Sequence, residues 1–93
     1  MRDSFFKDKV IVVTGASSGI GLASARLFGS LGARVVMAAR RLELLQELAP
    51  SVAPADRVLC VRCDVSVEAD AAELVSESVK RFGGIDILVN NDG

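Results

Sequence analysis

The 93-residue sequence contains no histidine, tyrosine or tryptophan, and it has only two prolines and two cysteines. The missing types include the commonest general acid/base, the commonest metal ligand and every phenol. Eleven lysines and arginines face twelve aspartates and glutamates, a formal charge of -1. That balance lacks the long-range positive field on which non-specific nucleic-acid binding depends. We therefore expect no nucleic-acid partner and no chemistry that requires an imidazole or a phenol.

Long apolar runs are also absent. The longest ones, such as residues 10–13, are far too short for a signal-peptide core or a membrane span, so we expect a cytoplasmic protein with no membrane partner. The length allows one domain, since a separate hydrophobic core usually needs on the order of 100 residues. With 51% hydrophobic and 25% charged residues, the chain is expected to bury a core.

The two cysteines, Cys60 and Cys63, have the spacing of a redox pair or of half a zinc site. No second pair and no histidine is present to complete a metal shell. In a strand, residues three apart point to opposite faces, so the two thiols could not easily meet. We expect two reduced cysteines in or near the core, and no metal site.

Short apolar runs alternate with stretches of helical spacing along the chain. Four β-branched residues without alternation, residues 10–13, are typical of a strand that is buried on both faces. The pattern predicts further strands over residues 34–39, 58–63 and 85–89, and helices over residues 20–31 and 41–49. The predicted buried stripe of the first helix comprises Ile20, Ala23, Leu27, Phe28 and Leu31, with Gly32 ending the helix.

A third helix is predicted from its own start and stop residues. Ser66 is the expected N-cap, with Glu68 and Asp70 in the first turn, where the helix dipole favours acids, and Gly83 and Gly84 end the helix. The predicted buried stripe comprises Ala71, Leu74, Val75, Ser78, Val79 and Phe82. The order βαβαβαβ requires parallel strands with right-handed crossover connections, so the sequence predicts an open α/β sheet.

The loop between the first strand and the first helix, residues 14–21, reads T-G-A-S-S-G-I-G. Its glycines permit a tight turn and close approach of the backbone, and the helix that follows offers unpaired N–H groups at the positive end of its dipole. Ser17 and Ser18 add hydroxyls that suit either anion binding or helix capping. The position between a buried strand and an amphipathic helix predicts a pyrophosphate site, although a helix entry can also need glycine for packing alone.

Three segments resemble motifs of the short-chain dehydrogenase/reductase superfamily. Residues 14–21 match the family's cofactor loop, T-G-x-x-x-G-x-G. Residues 63–65, C-D-V, resemble its D-V after the third strand, and residues 84–93 resemble its fourth-strand motif, which ends in N-N-A-G. The resemblance extends from about Lys7 to the last residue. It implies a Rossmann-type doubly wound parallel sheet with strand order 3-2-1-4, whose three α/β/α layers are incomplete on one side.

The end of the second predicted strand bears on the choice of cofactor. An NAD-binding member has an acidic residue there, about 20 residues past the glycines, which accepts hydrogen bonds from the ribose hydroxyls. Here Ala39 is followed by Arg40 and Arg41, so no carboxylate repels a 2′-phosphate and two guanidiniums can hold it. The arginines can equally be a solvated helix start, with Arg41 paired to Glu43 or Glu47. We expect NADP rather than NAD, with Arg40 as the main contact.

The resemblance implies a set of cofactor-binding residues. Asp64 and the neighbouring backbone would hold the adenine, and Asn90 would lie close to the adenosine ribose. The full set is Gly15, Ser17, Ser18, Gly19, Ile20, Gly21, Arg40, Arg41, Asp64, Val65 and Asn90. One departure is Asp92, where the family has a small alanine, and a carboxylate there would crowd the cofactor unless the side chain points into water.

Family members transfer hydride with a tyrosine, a lysine four residues later and a serine. The sequence contains no tyrosine, and its last residue, Gly93, precedes the positions at which these residues would occur. Ser17 and Ser18 have no neighbouring base, and Lys80 is expected on a solvated helix face. We therefore expect no catalytic residues, and a single truncated domain over residues 1–93 that is the NADP(H)-binding N-terminal half of an oxidoreductase and inactive alone.

With strand order 3-2-1-4, the last strand lies at an edge of the sheet. An apolar edge is a pairing site, and two copies related by a twofold axis can join these edges antiparallel. We therefore expect a homodimer through the fourth strand. The same observations leave an alternative open, a self-associating structural or engineered fragment whose glycine loop no longer meets a ligand.

Overall fold

Within residues 2–91, which the computed structural model describes, four parallel strands form one sheet in the order β3-β2-β1-β4. The strands are β1 (Val10–Thr14), β2 (Arg34–Ala39), β3 (Val58–Arg62) and β4 (Ile87–Val89). The connecting α-helices are α1 (Gly19–Ser30), α2 (Leu42–Leu48) and α3 (Glu68–Phe82). The predicted α/β class, the parallel pairing and the strand order are confirmed. Asp92 lies outside the described residues.

The sheet places the ends of its strands together. In the parallel register Val12 of β1 is opposite Val36 of β2 on one side and Leu88 of β4 on the other. Every residue of β1 is buried, and so are all but the first of β2, which explains their unbroken apolar sequences. Because the strands are parallel, the segments that follow them emerge at one edge of the sheet, where α/β proteins bind ligands.

The two faces of the sheet have separate cores, because successive side chains of a strand point to opposite faces. Ile11, Val35 and Met37 pack on the face that α1 and α2 cover, together with the fully buried Leu45 of α2. Val12 and other residues of the opposite face pack against α3. The helices therefore form layers on both sides of the sheet.

Three 3-10 turns complete the described chain, at Arg2–Phe5, Ala49–Ser51 and Ala55–Arg57. Arg57 joins the last of these turns to the segments that precede β1 and β2. Its guanidinium donates hydrogen bonds to the Asp8 carboxylate and to the Gly32 carbonyl oxygen. The amino end of the sheet, away from the glycine loop, is held by these contacts.

The ends of several elements differ from the prediction. β1 extends to Thr14, and β3 ends at Arg62. α2 is shorter than predicted and continues as a 3-10 turn, because Pro50 has no N–H to extend an α-helix. β4 is also shorter, and begins after Asp86, whose N–H donates to the Val10 carbonyl and whose carboxylate accepts the Val10 N–H.

The buried stripe predicted for α1 is partly wrong. Phe28 and Leu31 are half-buried, and Phe28 packs against the core, but the other three predicted residues are exposed. Ala23 is exposed, and Ile20 and Leu27 are 75% and 55% exposed. The buried residues of α1 are Gly21 and Ala25. The helix approaches β1 and β2 closely through these small residues, so its larger apolar side chains are displaced from the centre of the contact.

Two predictions for α3 are also wrong. Its N-cap is Val67, because the N–H and hydroxyl of Ser66 both bind the Asp64 carboxylate instead of capping the helix. Of the predicted buried stripe, Leu74 and Ser78 are buried and Phe82 is half-buried, but Ala71, Val75 and Val79 are exposed. α3 contacts β3 and β2, which cover only a narrow face of the helix.

No helix in the described part of the chain is both long enough and apolar enough to cross a membrane.

Candidate functional site

The glycine loop folds closely over the residues that follow β4. Gly15 has φ of 61°, in the left-handed region that favours glycine. A Cβ built on Gly15 would lie 1.9 Å from the Asn91 carbonyl oxygen, and one on Gly21 would lie 2.0 Å from the carbonyl oxygen of Gly15. Any side chain at either position would therefore displace backbone. The loop needs these two glycines for its packing as well as for approach to a ligand.

Thr14 joins the carboxyl ends of β1 and of the edge strand β4 beneath this loop. Its hydroxyl oxygen accepts the Asn91 backbone N–H at 2.8 Å, and its hydroxyl faces Asn90 Oδ1 at 3.1 Å and the Val89 carbonyl oxygen at 3.4 Å. Thr14 is buried, so these are the partners of a hydroxyl that water does not reach. The loop, β1 and the segment after β4 thus form one hydrogen-bonded unit.

A cleft of about 940 Å³ opens at the carboxyl edge of the sheet, between the segments that follow the four strands. It is lined by Gly15, Ser17, Ser18, Gly19, Ile20, Ala39, Arg40, Arg41, Cys63, Asp64, Val65, Ser66 and Asn91. The cleft thus brings together every residue of the predicted set except Gly21 and Asn90. The volume suits a dinucleotide-sized ligand, since ligand clefts commonly measure about 300–1,000 Å³.

The two predicted residues outside the cleft lining have positions that explain their absence. Gly21 is buried beneath the loop, where it allows α1 to pass close to Gly15. The Asn90 side chain is directed to Thr14 by the contact between Oδ1 and the hydroxyl. The prediction missed Asn91, which lines the cleft, and Thr14, which supports it. The sequence feature that could have indicated the role of Thr14 is its place directly before the first glycine of the loop.

The first turn of α1 presents unpaired donors to the cleft. The leading N–H groups of any α-helix have no partner within it, and α1 begins at Gly19, in the cleft lining. Ser18 is the N-cap but makes no side-chain cap, and among residues 2–91 the Ser17 and Ser18 hydroxyls have no hydrogen-bond partner. No acidic residue lies in the first turn. This end of the cleft therefore favours an anion.

Arg40 and Arg41 follow β2 at the rim of the cleft, and both are exposed. Within the described residues neither guanidinium forms an ion pair, so the alternative that pairs Arg41 with Glu43 or Glu47 is wrong. Both charges face solvent and the cleft.

The segment after β3 presents a carboxylate and an N–H side by side. Asp64 Oδ1 accepts hydrogen bonds from the Ser66 N–H at 3.0 Å and the Ser66 hydroxyl at 2.6 Å. These two bonds lower the pKa of Asp64, and the positive charges of Arg40 and Arg62 lower it further. The Val65 N–H has no partner in the part of the chain that the structure describes. Asp64 is therefore a charged acceptor next to a free donor.

The two cysteines lie on opposite faces of the sheet, as the strand prediction required. Cys60 is half-buried on the side of α1 and α2, and Cys63 is buried on the side of α3. Burial raises the pKa of both thiols, and the negative charges of Asp70 and Asp64 raise that of Cys63 further. Across residues 2–91 no group of three or more metal-ligating side chains is arranged around a common point.

Comparison with known proteins gives one consistent family. The family model for short chain dehydrogenase matches residues 9–93. Momilactone A synthase of Oryza sativa subsp. japonica is 47% identical over 85 residues, which are 91% of this chain and 31% of that protein.

Two solved structures have the same arrangement of elements. L-sorbose reductase from Gluconobacter frateurii, complexed with NADPH and L-sorbose, superposes with a TM-score of 0.89 at 43% identity, over 98% of this chain and 35% of that one. The 3-ketoacyl-(acyl-carrier-protein) reductase from Brucella melitensis, complexed with NADH, gives a TM-score of 0.82 at 36% identity, over 89% of this chain and 34% of that one. The chain thus spans about a third of the length of these relatives.

Proposed function

Because this chain belongs to the short-chain dehydrogenase family, we propose that it is the NADP(H)-binding N-terminal part of an oxidoreductase. The observation that supports this proposal best is the cleft itself. One end has the unpaired donors of the glycine loop, and the rim has two arginines without an acidic partner in the described chain. A ligand with a pyrophosphate and an additional phosphate matches both features.

The glycine loop would bind the pyrophosphate. The N–H groups at the start of α1 and the hydroxyls of Ser17 and Ser18 can donate hydrogen bonds to its oxygens. Backbone donors cost nothing in side-chain entropy, and the helix dipole favours the negative charge. The exposed side chain of Ile20 covers the same end of the cleft with apolar surface.

Asp64 and Val65 would bind the adenine. The Asp64 carboxylate can accept the 6-amino group while the Val65 N–H donates to a ring nitrogen, which is the donor and acceptor order of that edge of adenine. The carboxylate of Asp64, whose pKa lies below its ordinary value, is ionised at neutral pH. An ionised acceptor makes the stronger hydrogen bond.

Arg40 and Arg41 would select NADP over NAD. The related structures include one complex with NADPH and one with NADH, so the choice in this chain depends on its own residues. Ala39 ends β2 without a carboxylate, and Arg40 follows directly at the rim of the cleft. A guanidinium there can form charge-assisted hydrogen bonds with a 2′-phosphate.

We also propose that the chain does not transfer hydride by itself. The nicotinamide of a bound cofactor would supply the hydride, but the sequence has no tyrosine to move a proton to or from a substrate oxygen. Lys80 is exposed and lies 3.7 Å from the Glu77 carboxylate, away from the cleft lining. The activity of the family would require residues beyond those of this chain.

Titration of the chain with NADPH and with NADH, followed by the fluorescence of the reduced nicotinamide, tests the proposal. Saturable binding of NADPH at micromolar concentration, at least about tenfold tighter than NADH, is expected from one charge-assisted contact. Equal affinity for the two nucleotides would overturn the NADP assignment but would still support a dinucleotide site. No binding of either would overturn the proposed function.

The alternative of a fragment that no longer meets a ligand is not favoured, because the cleft is open and solved relatives are complexes with NADH and NADPH. The homodimer and the cytoplasmic location stay predictions. The edge strand β4, with Leu88 59% exposed, supports the first of them. Sedimentation equilibrium at tens of micromolar checks it, and a monomer there would contradict it.

A further inference from the structure

Asp70 lies outside the cleft lining but contacts the backbone of a residue within it. Its Oδ2 accepts the Asp64 backbone N–H at 3.0 Å, and the same oxygen lies 3.7 Å from Arg62 Nη1. The Asp70 side chain is 26% exposed, against 62% for Arg62, so the hydrogen bond to Asp64 is the more protected of the two contacts. Asp70 therefore links the first turn of α3 to the predicted adenine-binding segment.

The contact is not an ordinary helix cap. A side chain at the third helical position commonly reaches back to the N–H of the N-cap residue. Here the N-cap is Val67, and Asp70 reaches three residues further, to Asp64. An acid that served only the helix dipole would not need this partner.

Together with two local contacts, this bond leaves Asp64 little freedom. The Asp64 carbonyl oxygen accepts the Val67 N–H at 2.9 Å, and its Oδ1 accepts both donors of Ser66. With the N–H held by Asp70, Oδ2 is the polar atom of Asp64 that remains without a partner among the described residues. That oxygen and the free N–H of the next residue, Val65, belong to the stretch of backbone that Asp70 holds.

We propose that Asp70 is a positioning residue that makes the nucleobase end of the cleft select a 6-aminopurine over a 6-oxopurine. The inference rests on the proposed function and deepens it. Asp64 offers an acceptor and Val65 a donor, which match the 6-amino group and the unprotonated ring nitrogen of adenine. Hypoxanthine reverses both groups, since its 6-oxygen would face the carboxylate and its ring N–H would face the Val65 N–H.

The test compares NADPH with reduced nicotinamide hypoxanthine dinucleotide phosphate in wild type, Asp70→Ala and Asp70→Asn. In wild type we expect NADPH to bind at least about tenfold more tightly than the hypoxanthine dinucleotide. The reason is that hypoxanthine places an acceptor opposite the Asp64 carboxylate and a donor opposite the Val65 N–H. Asp70→Ala is expected to reduce the ratio of the two dissociation constants to about threefold or less. Asp70→Asn is expected to retain it, because the amide oxygen can still accept the Asp64 N–H.

Glu73→Ala is the matched control. It removes an exposed acid from the same helix, one that forms no ion pair within residues 2–91, and the ratio is expected to be unchanged. If Asp70→Ala does not fold, Asp70→Glu takes its place, because it keeps the charge but moves the carboxylate by one methylene. Asp70→Glu is also expected to reduce the ratio of the two dissociation constants to about threefold or less.

The outcomes separate the inference from the proposed function. A folded Asp70→Ala or Asp70→Glu variant that keeps the wild-type ratio would overturn the role of Asp70 while the NADP site stands. A variant that weakens both nucleotides equally would also overturn it, since that is the result of a merely structural role. Absence of NADPH binding in wild type would overturn both.

Discussion

The Thr14 hydroxyl oxygen accepts the Asn91 backbone N–H at 2.8 Å, which joins the end of β1 to the segment after β4. The Asn91 carbonyl oxygen in turn lies directly against Gly15, at the place where a Cβ would have to be. The shape of the glycine loop therefore depends on a segment that lies far away in the sequence. Four changes test the packing of this loop, the choice of nucleotide in the cleft and the acidity of Asp64.

Thr14→Val is expected to destabilise the fold by about 1–3 kcal/mol, because it leaves the part-buried Asn91 N–H without a partner at nearly unchanged side-chain volume. Urea unfolding followed by circular dichroism measures the change. Thr14→Ser keeps the hydroxyl and is the control, with an expected loss of less than about 1 kcal/mol. Equal losses for the two variants would show that the hydroxyl has no role.

Gly15→Ala is expected to be far more damaging than Gly19→Ala. Both residues have positive φ, 61° and 55°, so both variants have backbone strain of about 1–2 kcal/mol. Only at Gly15 would the new Cβ meet a backbone oxygen at 1.9 Å, whereas nothing lies within 4 Å of one at Gly19. We expect a total loss above about 4 kcal/mol for Gly15→Ala. Similar midpoints of urea unfolding for the two variants would contradict this packing.

Arg40→Ala is expected to weaken NADPH binding by about 1.5–3 kcal/mol, roughly 10- to 150-fold, and to leave NADH binding almost unchanged. The reason is that the lost contacts are those to the 2′-phosphate. Arg41→Ala removes the neighbouring charge and is expected to have the smaller effect. Fluorescence titration measures the dissociation constants of NADPH and NADH for each variant and for wild type. Equal losses of affinity for NADPH and NADH in Arg40→Ala would refute the assignment of Arg40.

Ser66→Ala is expected to raise the pKa of Asp64, because the Ser66 hydroxyl is the first of the two donors that lower it. A depressed pKa stabilises the fold above the ordinary pKa of aspartate, and this contribution is lost as the pH falls through the folded value. In Ser66→Ala this contribution is therefore expected to be smaller, and its loss is expected to be complete at a higher pH than in wild type. Carboxyl 13C titration by NMR measures the shift.

Asp8 is the internal control for that titration. The hydrogen bond from Arg57 lowers the pKa of Asp8, and Ser66 has no contact with this pair. The Asp8 titration is expected to be the same in Ser66→Ala and wild type. An unchanged Asp64 titration in the variant would remove the Ser66 hydroxyl as a cause of its acidity.

The elements that were predicted correctly depend on neighbouring residues in the sequence. The β-branched residues of β1 and the Val35-Val36 pair of β2 favour strands, and Gly32 and Gly83 end their helices with φ of 86° and 89°. The glycine spacing and the two arginines after β2 are likewise visible as letters. The strand order 3-2-1-4 came from the family resemblance of these motifs and is confirmed by the sheet.

The errors arose where a side chain had two possible partners, or where the buried face of a helix is narrower than its apolar stripe. Ser66 was expected to cap α3, but the Asp64 carboxylate is an acceptor for both its hydroxyl and its N–H. Val75 and Val79 have the spacing of a buried stripe, yet they are 51% and 46% exposed because α3 contacts mainly β3 and β2, which cover a narrow face of the helix. Helical periodicity predicts which residues share a face, whereas the width of the buried face depends on the neighbouring layer.

The sequence by itself determined the strands, the helices, the glycine loop and the residue types available to a dinucleotide. Only the tertiary structure decided which of them meet. Thr14 and the Asn91 N–H are 77 residues apart, and Asp70 reaches back past its own helix to Asp64. Local propensities act between residues within about one helical turn of each other in the sequence. They therefore cannot specify these contacts. Burial of the sheet between its two helix layers brings the strand ends to one edge, and the contacts form there.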